Sequence, residues 1–414
     1  MTASVSALAD VRSVLRGPFR VLAIGRLFDS IGSGLTMSLL VVYLAEVRGL
    51  PILTATLVLS WMAVIGLGAT PIAGTLTDRF GPRRVMLVAV LLEATGVGLT
   101  AFVTDAMSAF AVATLVALGG AGTWGPASTF IARLVPEHQR PTAFAVNFML
   151  LNLGLGIGGL IAATIVDIAR PETFQVLYAV DALTYLAFWV AILALRGLGG
   201  PSPRAPEESG GGWGVVLRDR RVLGLISVSL VLLICGYASM EAGVSIYITS
   251  VADESERLIG IVFLVNTLTI VIGQLFILGW VSGRSRVRMI GLTALLWAVA
   301  WLCLVPAPFA GRVVAAVLLI LYAAIFALGE SVWSPTIPAL VNAIAPDHLR
   351  GRYNSAQSLT WSMSSVLAPI LAGTLIGGGH GVLWAAVIAA GCLVAGLAAQ
   401  RLRGSLTPAE DGRA

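Results

Sequence analysis

Twelve times along this chain a mostly apolar run of about 20 residues or more opens and closes between short polar breaks. The runs cover approximately 19–44, 52–76, 84–104, 108–134, 141–168, 174–196, 221–247, 257–281, 287–306, 311–342, 351–378 and 380–401. About 20 helical residues reach across the roughly 30 Å of hydrocarbon in a bilayer. In that solvent every backbone N–H and C=O needs an internal partner, which helices supply within one segment. The pattern therefore predicts an all-α membrane protein with twelve transmembrane helices. Runs well beyond 20 residues are expected to tilt or protrude. The chain is 57% hydrophobic and 11% charged, far from the roughly 25% charged of ordinary soluble proteins.

Charge sets the orientation. All 26 basic residues are arginine. A cytoplasmic N-terminus places only Arg48, Arg170, Arg257 and Arg312 outside and Arg26 within the first span, leaving the others on cytoplasmic segments. This is the positive-inside asymmetry. It predicts a multi-pass protein of the inner, cytoplasmic membrane with both termini cytoplasmic. The basic balance reports topology and implies no nucleic-acid partner. Cys235, Cys303 and Cys392 fall inside spans, so no disulfide framework or metal site is expected. No cofactor motif, H-E-x-x-H pair, nucleophile elbow or phosphate-binding G-x-x-x-x-G-K-[ST] loop occurs. His138, His348 and His380 lie in or beside loops. An enzyme and a nucleotide-driven pump are both disfavoured. Residues 1–18 show no cleavable signal pattern. They read as a cytoplasmic tail, either frayed or a surface helix with Val5, Leu8, Val11 and Leu15 inward.

The longest polar interruption, "GLGGPSPRAPEESGGGWGVVLRDR" (197–220), reads as a flexible cytoplasmic linker. It separates a six-helix bundle over 19–196 from another over 221–401, followed by a tail at 402–414. The halves echo each other. "VPEHQR" (135–140) recurs as "APDHLR" (345–350), "WGP" (124–126) as "WSP" (333–335), and "GTLTDR" (74–79) as "GWVSGR" (279–284), where Asp78 becomes Gly283. Arg83 aligns with Arg288. Twelve spans thus form two pseudo-symmetric six-helix bundles.

Between spans 2 and 3, "GTLTDRFGPRR" (74–84) places four charges in seven positions around Gly81-Pro82. Gly74, Asp78, Arg79, Gly81, Arg83 and Arg84 resemble the signature G-x-x-x-D-R-x-G-R-R/K of the major facilitator superfamily, with Pro82 shifting the basic pair by one place. With the topology and the duplication, this identifies the chain as resembling that superfamily over nearly its whole length. The resemblance implies alternating access between parallel six-helix halves. It also implies that Asp78 docks near the N-terminus of span 11, expected around Gly351–Ser355, with Arg133 as a third partner. The arginines are expected to face anionic headgroups. Alternatively the segment is a topology anchor.

Ionisable groups inside a span cost about 2.5–3.5 kcal/mol each. Arg26, Asp29, Glu93, Glu241 and Glu330 lie within spans, and Asp181 near the start of one. The resemblance makes spans 1, 4, 7 and 10 the cavity lining, which assigns Asp29, Glu241 and Glu330 to it. Together with Glu93 these are the proton-coupling candidates. Asp29 follows Arg26 on the same helix face, so the two also read as a neutralising pair. Glu330 precedes a helix break expected at Trp333–Pro335, Glu241 also reads as a solvated residue at the mouth, and Asp181 as packing. Arg26, Asn147, Tyr237, Asn266, Gln274, Trp333 and Gln357 are candidates for the substrate cavity, although buried amides more often bond helices together. Gly154 and Gly158 resemble part of the glycine-rich fifth helix of drug–proton antiporters in the superfamily, with Gly159 replacing its proline. Those antiporters often carry an arginine within span 4, and here none precedes Arg133. The expectation is a monomeric secondary transporter that exchanges protons for amphipathic or cationic small organic compounds and exports them. The alternative is an uptake carrier for a small metabolite. A non-transporting receptor is a more remote reading.

Overall fold

The computed structural model describes residues 10–37, 39–201, 212–281 and 283–413, and no strand occurs among them. The long helices are α1 (Phe19–Thr36), α2 (Ile52–Phe80), α3 (Pro82–Thr100), α4 (Ala106–Leu134), α5 (Arg140–Ile165) and α6 (Pro171–Ala194), then α7 (Arg220–Ser250), α8 (Glu256–Val281), α9 (Arg286–Leu304), α10 (Arg312–Ile344), α11 (Arg350–Gly377) and α12 (Gly381–Leu402). Ten of them are each long and apolar enough to cross a bilayer. Taken as one span, α1 with Leu40–Val42 and the π-helical turn Tyr43–Val47 makes an eleventh, bent by 42°, where the sequence predicts an unbroken run. The remaining helix, α3, carries Arg83, Arg84 and Glu93 within 19 residues. Outer faces are apolar, as with Ile72, Leu183, Val190 and Leu397. That arrangement suits a hydrocarbon solvent.

The chain divides into two compact units, Asp10–Gly210 with Pro346–Ser358 and Gly211–Ala345 with Leu359–Ala414. In the first, α1 packs on α5 and α6, α4 on α2 and α3, and α3 on α6. In the second, α7 packs on α12, α10 on α8 and α9, and α9 on α12. The pairs α1–α6, α2–α4, α3–α4 and α3–α6 therefore recur six helices later. The sequence echo is an echo of local structure as well. Glu137–Gln139 and Asp347–Leu349 are both 3-10 turns, each followed by a helix starting at an arginine. Both arginines turn back onto the acid three residues earlier, Arg140 onto Glu137 and Arg350 onto Asp347.

Several expectations need correction. The α2 helix continues to Phe80, so Asp78 and Arg79 sit in its last turn and not in a loop. The corner is Gly81 alone, at φ +87° and ψ 150°, with Pro82 opening α3. That conformation is nearly exclusive to glycine. The helix break expected at Trp333–Pro335 is absent, because α10 runs unbroken through Pro335 and Pro338. Proline removes one N–H, a loss that transmembrane helices tolerate. The 197–220 segment is flexible coil neither at its start nor at its end. Gly199 accepts from the Arg83 amide, and Trp213–Val216 is a helical turn. Residues 202–211 lie outside the described residues. So do Val5 and Leu8 of the expected surface helix, in which Val14, not Val11 or Leu15, is the buried residue.

Candidate functional site

The acidic motif is docked as a helix cap. Asp78, 4% exposed, accepts the Gly351 amide at 2.6 Å, the Arg352 amide at 3.2 Å and Arg352 Nη1 at 3.1 Å. These amides occupy the first turn of α11, where backbone donors lack intrahelical acceptors and the helix dipole favours a negative charge. Close approach makes the contact possible. A Cβ on Gly74 would lie 2.5 Å from Ser355 Oγ, and one on Gly351 would lie 2.6 Å from Asp78 Oδ1. Beside it, Thr129 on α4 donates to the Arg350 carbonyl and accepts from Asn354 Nδ2.

The basic residues of the motif divide by task. Arg79 and Arg84 are exposed, as expected of headgroup-facing arginines. Arg83 instead caps the C-terminus of α6, donating to the Ile192 and Leu193 carbonyls at 3.1 and 2.8 Å. Arg352 makes the ion pair with Asp78. Arg133 lies near enough to act on the carboxylate through its charge, while its guanidinium donates to the Gly200 carbonyl.

Inside the first unit, Asp29 is 1% exposed and pairs with Arg26 at 2.6 Å, while its Oδ1 finds no hydrogen-bond donor. The Arg26 guanidinium also stacks on the exposed Trp124 ring, 4.8 Å from its centroid. Glu93 is buried and accepts from Thr123 at 2.6 Å, joining α3 to α4. Asp181, passed over in the sequence as packing, is equally buried and accepts from Thr36 at 2.5 Å, joining α6 to α1. Neither Glu93 nor Asp181 has an arginine at ion-pair distance among the described residues. Asn147 is half-buried on α5, which meets α1 so closely that a Cβ on Gly158 would strike the Ile31 carbonyl.

Inside the second unit, Glu330 is 3% exposed and accepts from Asn266 Nδ2 at 2.5 Å. The Tyr237 hydroxyl approaches the same carboxylate without a well-aligned hydrogen bond to any group. Gln274 donates to the Ser331 carbonyl at 3.2 Å and leaves its own oxygen unpartnered. Tyr237 projects from a π-helical turn, Ile234–Ala238, in which Gly236 is non-helical at φ −105° and ψ −106°. Its ring meets Trp297 edge-on at 5.5 Å and Trp361 at 5.2 Å. Trp333 is buried against Trp297. Glu241 is exposed, and Gln357 is half-buried near the start of α11.

The structure thus joins Arg26 to Asp29 and brings Glu330, Asn266 and Tyr237 together. Arg352 and Asp181 were missed. Arg352 stands at the start of the eleventh run (351–378) and counts in the sequence only as one of the cytoplasmic arginines, and Asp181 reads there as a helix-end or packing residue.

A helical membrane protein built from two six-helix repeats, with a docked acidic residue in the last turn of its second helix and acids embedded in both repeats, has the construction of a secondary transporter. The Major Facilitator Superfamily model matches residues 22–255 and 242–412, and the chain belongs to that family. It is similar to an uncharacterized MFS-type transporter of Bacillus subtilis, 26% identical over 394 residues and covering 94% of both chains. It is also similar to a Na(+), Li(+), K(+)/H(+) antiporter of Planococcus maritimus, 22% identical over 85% of this chain and 88% of that one. Among solved structures it resembles a bacterial homologue of the iron transporter ferroportin in an outward-facing state, with TM-score 0.76 and 15% identity, covering 94% of this chain and 99% of that one. At that identity the structural likeness is one of fold.

Proposed function

We propose that this secondary transporter of the cytoplasmic membrane exports amphipathic or cationic small organic compounds in exchange for protons, with both termini in the cytoplasm. Glu330 carries the reading. It is a buried carboxyl held by a neutral amide and a nearby phenol. Such a group changes protonation without leaving a buried counter-ion unpaired, which suits it to coupling. Asp29, paired with Arg26, is the second coupling group, and Arg26 over Trp124 offers a site for an aromatic passenger. Asp78 holds the cytoplasmic gate by capping α11. A relative that exchanges cations for protons supports the antiport direction.

The test uses inside-out vesicles energised to an acidic lumen, with ethidium as probe. Wild-type vesicles are expected to dissipate the proton gradient when ethidium is added, and Glu330→Gln vesicles are not. Wild-type vesicles that respond to none of a panel of organic cations, or Glu330→Gln vesicles that respond normally, would overturn the proposal.

A further inference from the structure

The helix α9 carries none of the candidate site residues, yet one of its side chains touches both elements that build the Glu330 site. Trp297 is fully buried. Its six-membered ring fills the space where Gly236 has no side chain, since a Cβ there would lie 2.4 Å from Cζ3. Its five-membered ring does the same at Gly329, where a Cβ would lie 2.5 Å from both Cδ1 and Nε1. The residues following these two glycines are Tyr237 and Glu330. The indole N–H donates to the Phe326 carbonyl at 3.1 Å, and one turn earlier Thr293 on α9 donates to the Gly329 carbonyl at 3.4 Å. Trp297 also stacks on Phe326 at 5.1 Å and 10° and meets Tyr237 edge-on.

These contacts account for two local irregularities. Gly236 leaves helical geometry at the residue that lies on the indole, and the resulting π turn re-aims Tyr237. Gly329 lets α10 approach the other edge of the ring. A planar side chain anchored by its own hydrogen bond has one orientation, so it fixes α7 and α10 against a common wedge. We infer that Trp297 is a positioning residue, setting the separation of Tyr237 from Glu330 by filling the space opposite Gly236 and Gly329. The inference rests on Glu330 being the coupling group. It adds that the geometry of that group is imposed from α9 and not by its own helix.

The experiment compares Trp297→Leu, Gly329→Ala and the double variant, with Trp297→Phe added in case the leucine variant fails to assemble. One readout is the pH profile of ethidium-driven proton flux in inside-out vesicles. The other is hydrogen–deuterium exchange of the purified full-length protein, following peptides over 234–241 and 326–333. Each single variant is expected to lower flux about tenfold, to shift the pH of half-maximal rate and to speed exchange in both peptides. The added Cβ of Gly329→Ala then occupies space vacated by Trp297→Leu, so the double variant recovers flux and pH profile towards wild type. An unshifted pH profile with unchanged exchange at both peptides would overturn the role. So would a double variant no better than the worse single, because ordinary core packing predicts additive damage. If wild-type vesicles ignore ethidium, the export reading falls, while exchange at the two peptides still decides whether Trp297 positions them.

Discussion

Replacing Asp78 by asparagine keeps the shape of the side chain and removes its charge. The wild-type carboxylate accepts from the Gly351 amide and from two donors of Arg352 while 4% exposed. The asparagine oxygen can keep the Gly351 bond, but its NH2 group must then face the Arg352 amide and guanidinium, donor against donor. Hydrogen bonds to a charged group contribute about 1.5–3 kcal/mol each, and a carboxylate at a helix N-terminus gains up to ~2 kcal/mol. These contributions overlap, and desolvation of the carboxylate offsets part of them. A net loss of about 2–3 kcal/mol lowers the docked-to-undocked ratio roughly 30- to 150-fold. Gly351 and Arg352 lie in the first turn of α11, where amides have no intrahelical acceptor. Their protection from exchange with solvent must therefore come from Asp78. Residue-resolved hydrogen exchange should show these two amides accelerated by roughly that factor in Asp78→Asn, with amides in the middle of α11 affected far less. Unchanged rates at Gly351 and Arg352 would refute the capping argument, and with it the gate assigned to this motif.

Three further substitutions test other contacts. Asp411 in the C-terminal tail is fully buried and accepts from Ser285 Oγ at 2.7 Å, the Val287 amide at 3.0 Å and Arg413 Nε at 2.6 Å, so it caps the start of α9. Asp411→Ala should cost about 2 kcal/mol, read as a lower melting temperature in detergent and easier proteolysis of the tail. Neutralising the two carboxyls proposed for coupling should differ: Asp29→Asn leaves Arg26 with no ion-pair partner and should lower stability by up to about 3–5 kcal/mol, whereas Glu330→Gln should leave the melting temperature close to wild type. Thermal unfolding of both variants in the same detergent checks the contrast.

The architecture was legible because hydrocarbon imposes a strong rule on sequence. A run long enough to span must be a helix, so the helix count and the two-fold repeat followed from run length and from "PEHQR" against "PDHLR". Interruptions inside a run were not legible. The π turns at Tyr43–Val47 and Ile234–Ala238 keep the apolar composition of their surroundings, and only contacts such as Gly236 with Trp297 reveal why they form. Proline misled in the opposite direction, since Pro335 and Pro338 lie within a continuous helix. At the site, the acidic residues within spans were found from their cost in lipid, but of their partners only Arg26 was. Asp29 with Arg26 is a local pair three residues apart. Glu330 with Asn266, and Asp78 with Arg352, join distant segments that no periodicity connects.

The two copies have diverged most in what fills them. The first unit buries Asp29, Glu93 and Asp181; Arg26 pairs with Asp29, and hydroxyls of Thr36 and Thr123 donate to Asp181 and Glu93. The second buries Glu330 beside an aromatic cluster in which Trp297, Phe326, Trp301 and Trp384 follow one another at 5.1–6.1 Å, the first pair stacked and the next two edge-on. A hydroxyl can donate to a carboxylate or accept from a carboxylic acid by turning about one bond, so the first interior adapts to a change of charge with little motion of its helices. Interlocked rings have no such freedom, because the density of a packed core leaves alternatives that differ by discrete repacking. On the coupling roles proposed above, a proton gained by Glu330 would act against a stiff background, and its consequences would pass into the orientation of Tyr237 and the π turn beneath it. A proton gained by Asp29 would instead leave Arg26 with Trp124 as its remaining contact. The same chemistry in the two halves thus has different mechanical outcomes, and the contrast in stability between Asp29→Asn and Glu330→Gln measures that difference directly.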